Sequence, residues 1–133
     1  MLIGPYGTDE YNRQRAASWK LVKEYGVFDI PGSTIDFEEV ICNEGRPCPV
    51  LVLLYARMGL HRYNLLEGTK FELSGVTKYV KSKGTCACTY YITLDAIDPA
   101  VGSSLQTFQT KVSEQSFGRY ILMCNVRVSK PKL

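Results

Sequence analysis

The sequence predicts one α+β domain, in which a long helix packs on an antiparallel sheet of four or five strands after an N-terminal helical segment. Two observations predict this class: a helical hydrophobic period follows Pro49, and a two-residue period with turn residues between its strands begins after Gly68. A sheet with one apolar face needs a helix to cover it. We assign 1–48 to the N-terminal segment and connection, and 49–133 to the helix and sheet of the same compact domain.

The first predicted element is a helix that begins at Thr8 and ends at Gly26. Threonine is a favoured N-cap, Asp9 and Glu10 follow it, and glycine commonly ends a helix. Proline and glycine clusters in 27–48 indicate a connection, with one short extended piece over 36–42.

The second predicted helix runs over about 49–66 and supplies the helical side of the core. Its apolar side chains recur at three- and four-residue spacing, and Gly68 ends the pattern. The face that this spacing favours contains Val50, Leu51, Leu54, Tyr55 and Met58.

Four strands are predicted near 69–82, 85–98, 104–115 and 119–129. In the second strand, the even-numbered residues from Cys86 to Leu94 are apolar and the odd-numbered residues between them are mostly hydroxylic. This alternation is typical of a half-buried strand. Free cysteine packs as a small hydrophobe, so we interpret the strand cysteines as core residues. The expected core comprises Leu51, Leu54, Met58, Phe71, Cys88, Tyr90, Ile92, Leu94, Leu122, Cys124 and Val126.

The spacing of the cysteines and the histidine predicts no enzyme activity, no bound metal and no cofactor. A zinc site normally needs four ligands in short knuckles, whereas the five cysteines are spaced as Cys86-x-Cys88, Cys42-x₅-Cys48 and a separate Cys124. A catalytic thiol needs a nearby histidine, and the one histidine lies within the second helix. Phosphate-binding loops and nucleophile elbows do not occur in the sequence. We therefore predict no catalytic residue and no metal ligand.

Charge and hydropathy limit the partners. The net charge is +3, and the basic residues are scattered among acidic ones, so we expect no nucleic acid. The apolar run PVLVLLYA is too short to cross a bilayer, so we expect no membrane partner. The N-terminus does not resemble a secretory signal, and the cysteine number is odd. These features predict a cytoplasmic or nuclear protein with reduced thiols.

The stretch from Ala56 to about Val112 resembles plant cystatins. Tyr55-Ala56-Arg57-Met58-Gly59-Leu60 is similar to the Leu-Ala-Arg-Phe-Ala-Val-like segment of that family's helix, and Asn64 stands for the asparagine near its end. The segment Ile92-Thr93-Leu94-Asp95-Ala96 resembles the strand after the first inhibitory hairpin. This resemblance covers under half of the chain, and it implies a cystatin-like fold, with a long helix cradled by an antiparallel sheet.

The inhibitory tips of a cystatin depart from their pattern here. The first tip aligns with Lys83, Gly84, Thr85, Cys86 and Ala87 in place of a Gln-Val-Val-Ala-Gly-like sequence. The second aligns near Gln115, Ser116, Phe117 and Gly118 and has no Pro-Trp, since the one tryptophan is Trp19. These nine tip residues are the binding site only under the alternative hypothesis, a cystatin-type inhibitor of cysteine proteases with degenerate loops.

A longer resemblance leads to an uncharacterised plant family that is named after a male-sterility protein and expanded in crucifers. It rests on EYNRQRAASWKLVKEYG, YARMGLHRYNLLEGT and YYITLDAIDPAVGSSLQTFQTKV. It implies a plant protein of unassigned biochemistry, with some members linked to male meiosis. We therefore expect a non-catalytic interaction module with an unidentified protein partner. Cystatin-like folds also exchange their first hairpin, which makes a homodimer a further expectation.

Overall fold

The computed structural model describes residues 8–83, 88–100, 102, 104–117, 121–126 and 130–131. Two α-helices, one short 3-10 helix and six strands occur in this part of the chain. In order they are α1 (Asp9–Tyr25), the 3-10 helix (Val27–Asp29), β1 (Phe37–Ile41), α2 (Val50–Glu67), β2 (Glu72–Ser82), β3 (Thr89–Ile97), β4 (Leu105–Phe117), β5 (Ile121–Val126) and β6 (Lys130–Pro131).

The strands form one antiparallel sheet in the order β1-β2-β3-β4-β5, and the short β6 pairs with β4. The α+β class is therefore confirmed. The predicted extended piece at 36–42 is β1, which pairs with β2 from Phe37 opposite Ser82 to Ile41 opposite Lys78. The N-terminal segment thus adds a strand to the sheet.

Helix α1 has the ends that the sequence predicts. The Thr8 hydroxyl accepts a hydrogen bond from the Tyr11 backbone N–H at 3.1 Å, and Gly26 ends the helix with φ of 76°, a conformation that favours glycine. The helix lies largely in solvent. Ser18 is its one buried residue, and its hydroxyl shares a hydrogen bond with that of Thr34 at 2.8 Å.

Helix α2 packs on the sheet through a face with two small residues at its centre. A Cβ added to Gly59 would lie 2.1 Å from Thr110 Oγ1, so α2 approaches β4 more closely than any side chain at this position would allow. The buried residues of α2 are Val52, Tyr55, Ala56, Gly59 and Leu60. Opposite them, the sheet contributes the buried side chains of Tyr90, Ile92, Leu94, Ala96, Phe108 and Val112.

The predicted core face of α2 is partly wrong. Tyr55 is buried and Met58 packs half-buried against the core, but Leu51 and Leu54 are 43% and 51% exposed. Apolar residues occupy more than half of the helix circumference, so the three- and four-residue spacing fits two faces, and contact with β4 selects the one that carries Gly59.

The strand side of the predicted core is confirmed where its side chains are described. Cys88, Tyr90, Ile92 and Leu94 are buried, and the half-buried Phe71 packs against them. Leu122, Cys124 and Val126 lie in β5, but their side chains are outside the described part of the structure.

The connection after α1 covers the second face of the sheet. The rings of Phe28 and Phe37 meet that of Tyr91 edge-on, with centroids 5.4 Å and 6.2 Å away. Ile30 and Val80 are fully buried, and the Lys78 ammonium lies 2.9 Å from an Asp29 carboxylate oxygen. The second face of the sheet is therefore covered at β2 and β3, a layer that the sequence did not predict.

Asn64 connects the end of α2 to the start of β2. Its side-chain amide donates to the Phe71 carbonyl at 2.9 Å, and its Oδ1 accepts from the Phe71 backbone N–H at 3.0 Å and from the Thr69 hydroxyl at 2.7 Å. The side chain pairs with the Phe71 backbone as a neighbouring strand would. Together with the left-handed Gly68, it holds the helix–strand turn in one geometry.

Candidate functional site

The first predicted tip is described only at Lys83. Its backbone N–H donates to the Asp36 carbonyl at 2.7 Å, and its ammonium donates to the Thr34 carbonyl at 2.5 Å. The positive charge is therefore bound to the 34–36 loop of the same chain. Gly84, Thr85, Cys86 and Ala87 lie outside the described residues.

The second predicted tip falls partly within a strand. Gln115, Ser116 and Phe117 belong to β4, and their backbones pair with β5 from Met123 to Ile121. Gly118 lies outside the described residues. The strand thus continues two residues past its predicted end. Gln115, Ser116 and Phe117 are therefore paired strand residues and not the tip of a hairpin.

The described cysteines occupy core positions. Cys88 is buried in the core cluster, and the half-buried Cys42 and Cys48 pack against that cluster and hold their thiols next to each other. Burial first, and then the neighbouring Cys42 thiol, raise the pKa of Cys48 to about 12. A thiol that stays protonated is a poor nucleophile, so Cys48 is unsuited to covalent catalysis.

A polar network joins α2 to the sheet beside these cysteines. The Tyr55 hydroxyl donates to Glu114 Oε2 at 2.5 Å, and the Cys88 backbone N–H donates to Glu114 Oε1 at 3.1 Å. The Tyr90 ring lies edge-on to Tyr55 at 5.4 Å, and its pKa is raised chiefly by burial and then by the Glu114 charge. Both carboxylate oxygens have protein partners, so the network positions α2 on the sheet.

His61 lies exposed on α2. Within the described residues, no three histidine, cysteine, aspartate or glutamate side chains come together as a metal-binding group. None of the described helices is both long and apolar enough to span a membrane.

The side of α2 that points away from the sheet exposes large apolar side chains. Val50 is 82% exposed and Leu65 71%. Five of the nine exposed large hydrophobic residues in the described part of the chain lie on this helix. We define the outer face of α2 by Val50, Leu51, Leu54, Arg57, His61, Arg62 and Leu65. Met58 lies at the edge of this face, half-buried and packed partly against the core cluster.

The charges of the outer face have one sign. Arg57 and Arg62 are exposed, and no acidic residue occurs in the helix before Glu67. Beside the face, Glu72 of β2 lines a surface hollow of about 340 Å³ together with Arg57 and His61. The helical spacing did not predict this surface, because it places Leu51 and Leu54 in the core. The available signal was the excess of apolar residues in α2 over what one buried face requires.

Comparison with known proteins connects the chain to uncharacterised plant proteins. The UPF0725 protein At1g23970 of Arabidopsis thaliana is 40% identical over 136 residues, which cover 92% of this chain and 35% of that protein. The UPF0725 protein At1g02770 is 43% identical over 122 residues, or 86% of this chain and 37% of that protein. The uncharacterized protein At4g17700 is 45% identical over 80 residues, or 60% of this chain and 49% of that protein. All three are from the same plant.

These relatives confirm the predicted similarity to an uncharacterised plant family. The chain spans between about a third and a half of the length of the three relatives. No family model matches it, and no solved structure does. The names of the relatives assign no activity.

Proposed function

We propose that this chain is a non-catalytic protein-interaction module that binds a protein partner through the outer face of α2. The observation that carries the proposal is the exposure of Val50, Leu54 and Leu65, which are 82%, 51% and 71% accessible on one side of one helix. Contiguous exposed apolar surface on a soluble domain usually marks a site of interaction.

The apolar residues of the outer face supply only part of the free energy that a stable complex needs. Full burial of a leucine contributes about 1.5–3 kcal/mol, and the exposed leucines are already partly covered by their own helix. Three of them therefore contribute roughly 3–6 kcal/mol before the cost of association. A complex at this face needs further polar contacts to reach micromolar strength, which corresponds to about −8 kcal/mol.

The proposed fold family is cystatin-like. In support, the long helix α2 packs on one antiparallel sheet, as the cystatin resemblance implies, and Asn64 lies near the end of the helix. The proposed setting is a plant reproductive process in the cytoplasm or nucleus, supported by the resemblance to the male-sterility family alone.

Capture from flower-bud extract with three baits tests the proposed surface. The baits are the wild type, Leu54→Glu on the outer face, and Leu105→Glu, which makes the same change at a side chain of similar exposure (58%) on β4. We expect reproducible partners with the wild type and Leu105→Glu, and their loss with Leu54→Glu. Thermal melting of each bait checks that it is folded. Identical partners on all three baits would move the interaction to another surface.

Cysteine-protease inhibition is the second candidate, and the packing of a long helix on an antiparallel sheet favours it. Its first tip lacks both valines of the family pattern, and the Lys83 ammonium is bound to Thr34. The loss of two apolar contacts weakens binding by about two to four orders of magnitude. We therefore expect no better than micromolar inhibition of papain in a progress-curve assay. A nanomolar inhibition constant would replace the first proposal.

A further inference from the structure

We infer that the partner of the outer face is an amphipathic helix with acidic flanking residues, which packs along α2 as in a coiled coil. This inference rests on the proposed function, because it names the chemistry of the partner for the same face. Three observations support this inference: the spacing of apolar residues along α2, their exposure, and the positive charge of the residues beside them.

Five residues of α2 have the spacing of a coiled-coil heptad, and we call them the seam: Leu51, Leu54, Met58, His61 and Leu65. Each is separated from the next by three or four residues in turn, so the five occupy alternating a and d positions. The buried residues of α2 follow a different set of positions on the opposite side of the helix, so α2 has one apolar face for its own sheet and a narrower one for a second helix.

The seam is accessible in the structure. Leu51, Leu54 and Leu65 are 43%, 51% and 71% exposed, and His61 is exposed. Met58 is half-buried because it also packs against the core cluster, so it offers a partner only part of its side chain. His61 is the one polar member of the seam, and a polar residue within an apolar seam lowers the stability of a helical pair. Among the described elements, α2 makes its main contacts with strands of the sheet, and its buried residues are Val52, Tyr55, Ala56, Gly59 and Leu60.

The charges that flank the seam favour an acidic partner. Arg57 occupies the g position before Met58, and Arg62 occupies the e position after His61. Neither arginine forms an ion pair with a described residue. In a coiled coil, e and g residues pair with those of the partner and select it by charge. Glutamate or aspartate at the flanking positions of the incoming helix therefore complements this seam.

The same charges disfavour a second copy of α2 as the occupant. In a parallel pair, Arg57 would face Arg62 of the other copy, and an antiparallel pair centred on either arginine would place that arginine opposite its own copy. A lipid surface fits less well than a helix, because the seam is narrow and contains His61, whereas a helix that lies on a membrane buries a wide apolar face.

Two matched peptides test the inference. Each is a labelled amphipathic helix of about three heptads with leucine at a and d, one with glutamate and the other with lysine at e and g. Fluorescence anisotropy measures their binding to the wild type, to Leu54→Glu and to the double variant Arg57→Glu/Arg62→Glu. We expect the wild type to bind the glutamate peptide roughly tenfold more tightly, and the double variant to reverse that preference, since two exposed charge pairs change from repulsive to attractive. Leu54→Glu should weaken both peptides by at least about tenfold.

Every other outcome overturns the inference. The inference that the partner is an acidic helix is contradicted if neither peptide binds, if both bind equally, or if the wild type prefers the lysine peptide. Sedimentation that shows a dimer lost in Leu54→Glu identifies a second copy as the occupant, and flotation with phosphatidylserine vesicles that is lost in the same variant identifies a lipid surface. The proposed function is tested separately: if the peptides fail while capture still depends on Leu54, the outer face binds a protein of other chemistry.

Discussion

The two faces of α2 are built from similar side chains but have opposite environments. Val52 and Leu60 on the inner face are 2% and 3% exposed, whereas Val50 and Leu54 on the outer face are 82% and 51% exposed. The difference lies in what surrounds them: Gly59 lets the backbone approach Thr110 of β4 on one side only. Hydrophobic content alone therefore does not indicate which face of a helix is buried.

Leu60→Ala is the strongest test of this difference. Truncating a buried leucine removes its transfer free energy and leaves a cavity, so we expect the free energy of unfolding to fall by about 2–5 kcal/mol. Urea denaturation followed by circular dichroism measures it. A change below about 1 kcal/mol would show that the inner face is not the core.

Gly59→Ala tests the close approach of α2 to β4. Alanine is the better helix former by about 1 kcal/mol, yet its Cβ would overlap the Thr110 side chain, so we expect a net loss of roughly 1–3 kcal/mol. Adding Thr110→Ala should recover part of that loss in a double-mutant cycle, because it removes two of the three contacting atoms. Stabilisation by Gly59→Ala alone would contradict this packing.

Tyr55→Phe tests the polar connection at the edge of the inner face. The variant keeps the ring against Tyr90 and loses the hydrogen bond to Glu114, so we expect a loss of about 1–2 kcal/mol in urea denaturation. In a cycle with Glu114→Gln, the two losses should be less than additive, since both changes affect the same hydrogen bond. Additive losses would show that Glu114 and Tyr55 act independently.

Cys48, just before α2, should make stability depend on alkaline pH. Its pKa is about 12 in the folded chain and near 9.0 otherwise, so between these values the unfolded chain releases a proton that the folded chain retains. The free energy of unfolding therefore falls as pH rises above about 9, by a few tenths of a kcal/mol, since the thiol is partly exposed and screened.

Cys48→Ala isolates the contribution of this thiol: the free energy of unfolding is measured against pH for the variant and for the wild type, and the two slopes are compared. We expect a shallower decline in the variant from about pH 8 to pH 10, measured by urea denaturation at each pH. Tyr79 and Tyr90, whose pKa values are also raised by burial, contribute to the decline in both proteins at higher pH. Parallel slopes would mean that Cys48 titrates normally.

Leu54→Ala should have the smallest effect. A half-exposed side chain away from the sheet leaves no cavity, so we expect a change within about 0.5 kcal/mol. The measurement is the same urea denaturation as for Leu60→Ala, which serves as its matched control. A loss above about 2 kcal/mol would place Leu54 in the core after all.

The tip residues were predicted by alignment to cystatins, without any local chemical signal. Lys83 turned out to be bound to the 34–36 loop, and Gln115 to Phe117 to be strand residues. The outer face was not predicted, because a helix that is apolar over most of its circumference becomes a candidate site only when its buried side is known.

Local features of the sequence determined the ends and types of the main elements. The Thr8 cap and Gly26 delimit α1, Gly68 ends α2, and the alternation in 88–94 specifies both β3 and its buried face. These features act through neighbouring residues along the chain, by hydrogen bonds to free N–H groups, by backbone conformations that favour glycine, and by the two-residue period of a strand.

Only the tertiary structure decided how the elements are rotated and what covers them. The side of α2 that is buried depends on Thr110, about fifty residues away in the sequence, and the second face of the sheet is covered by Phe28 and Ile30 from a segment with no strand or helix period. Such contacts depend on the fit between surfaces that come together only when the chain folds. The periodicity of a sequence shows which residues are apolar, but the neighbour that buries each of them depends on how the folded surfaces pack together.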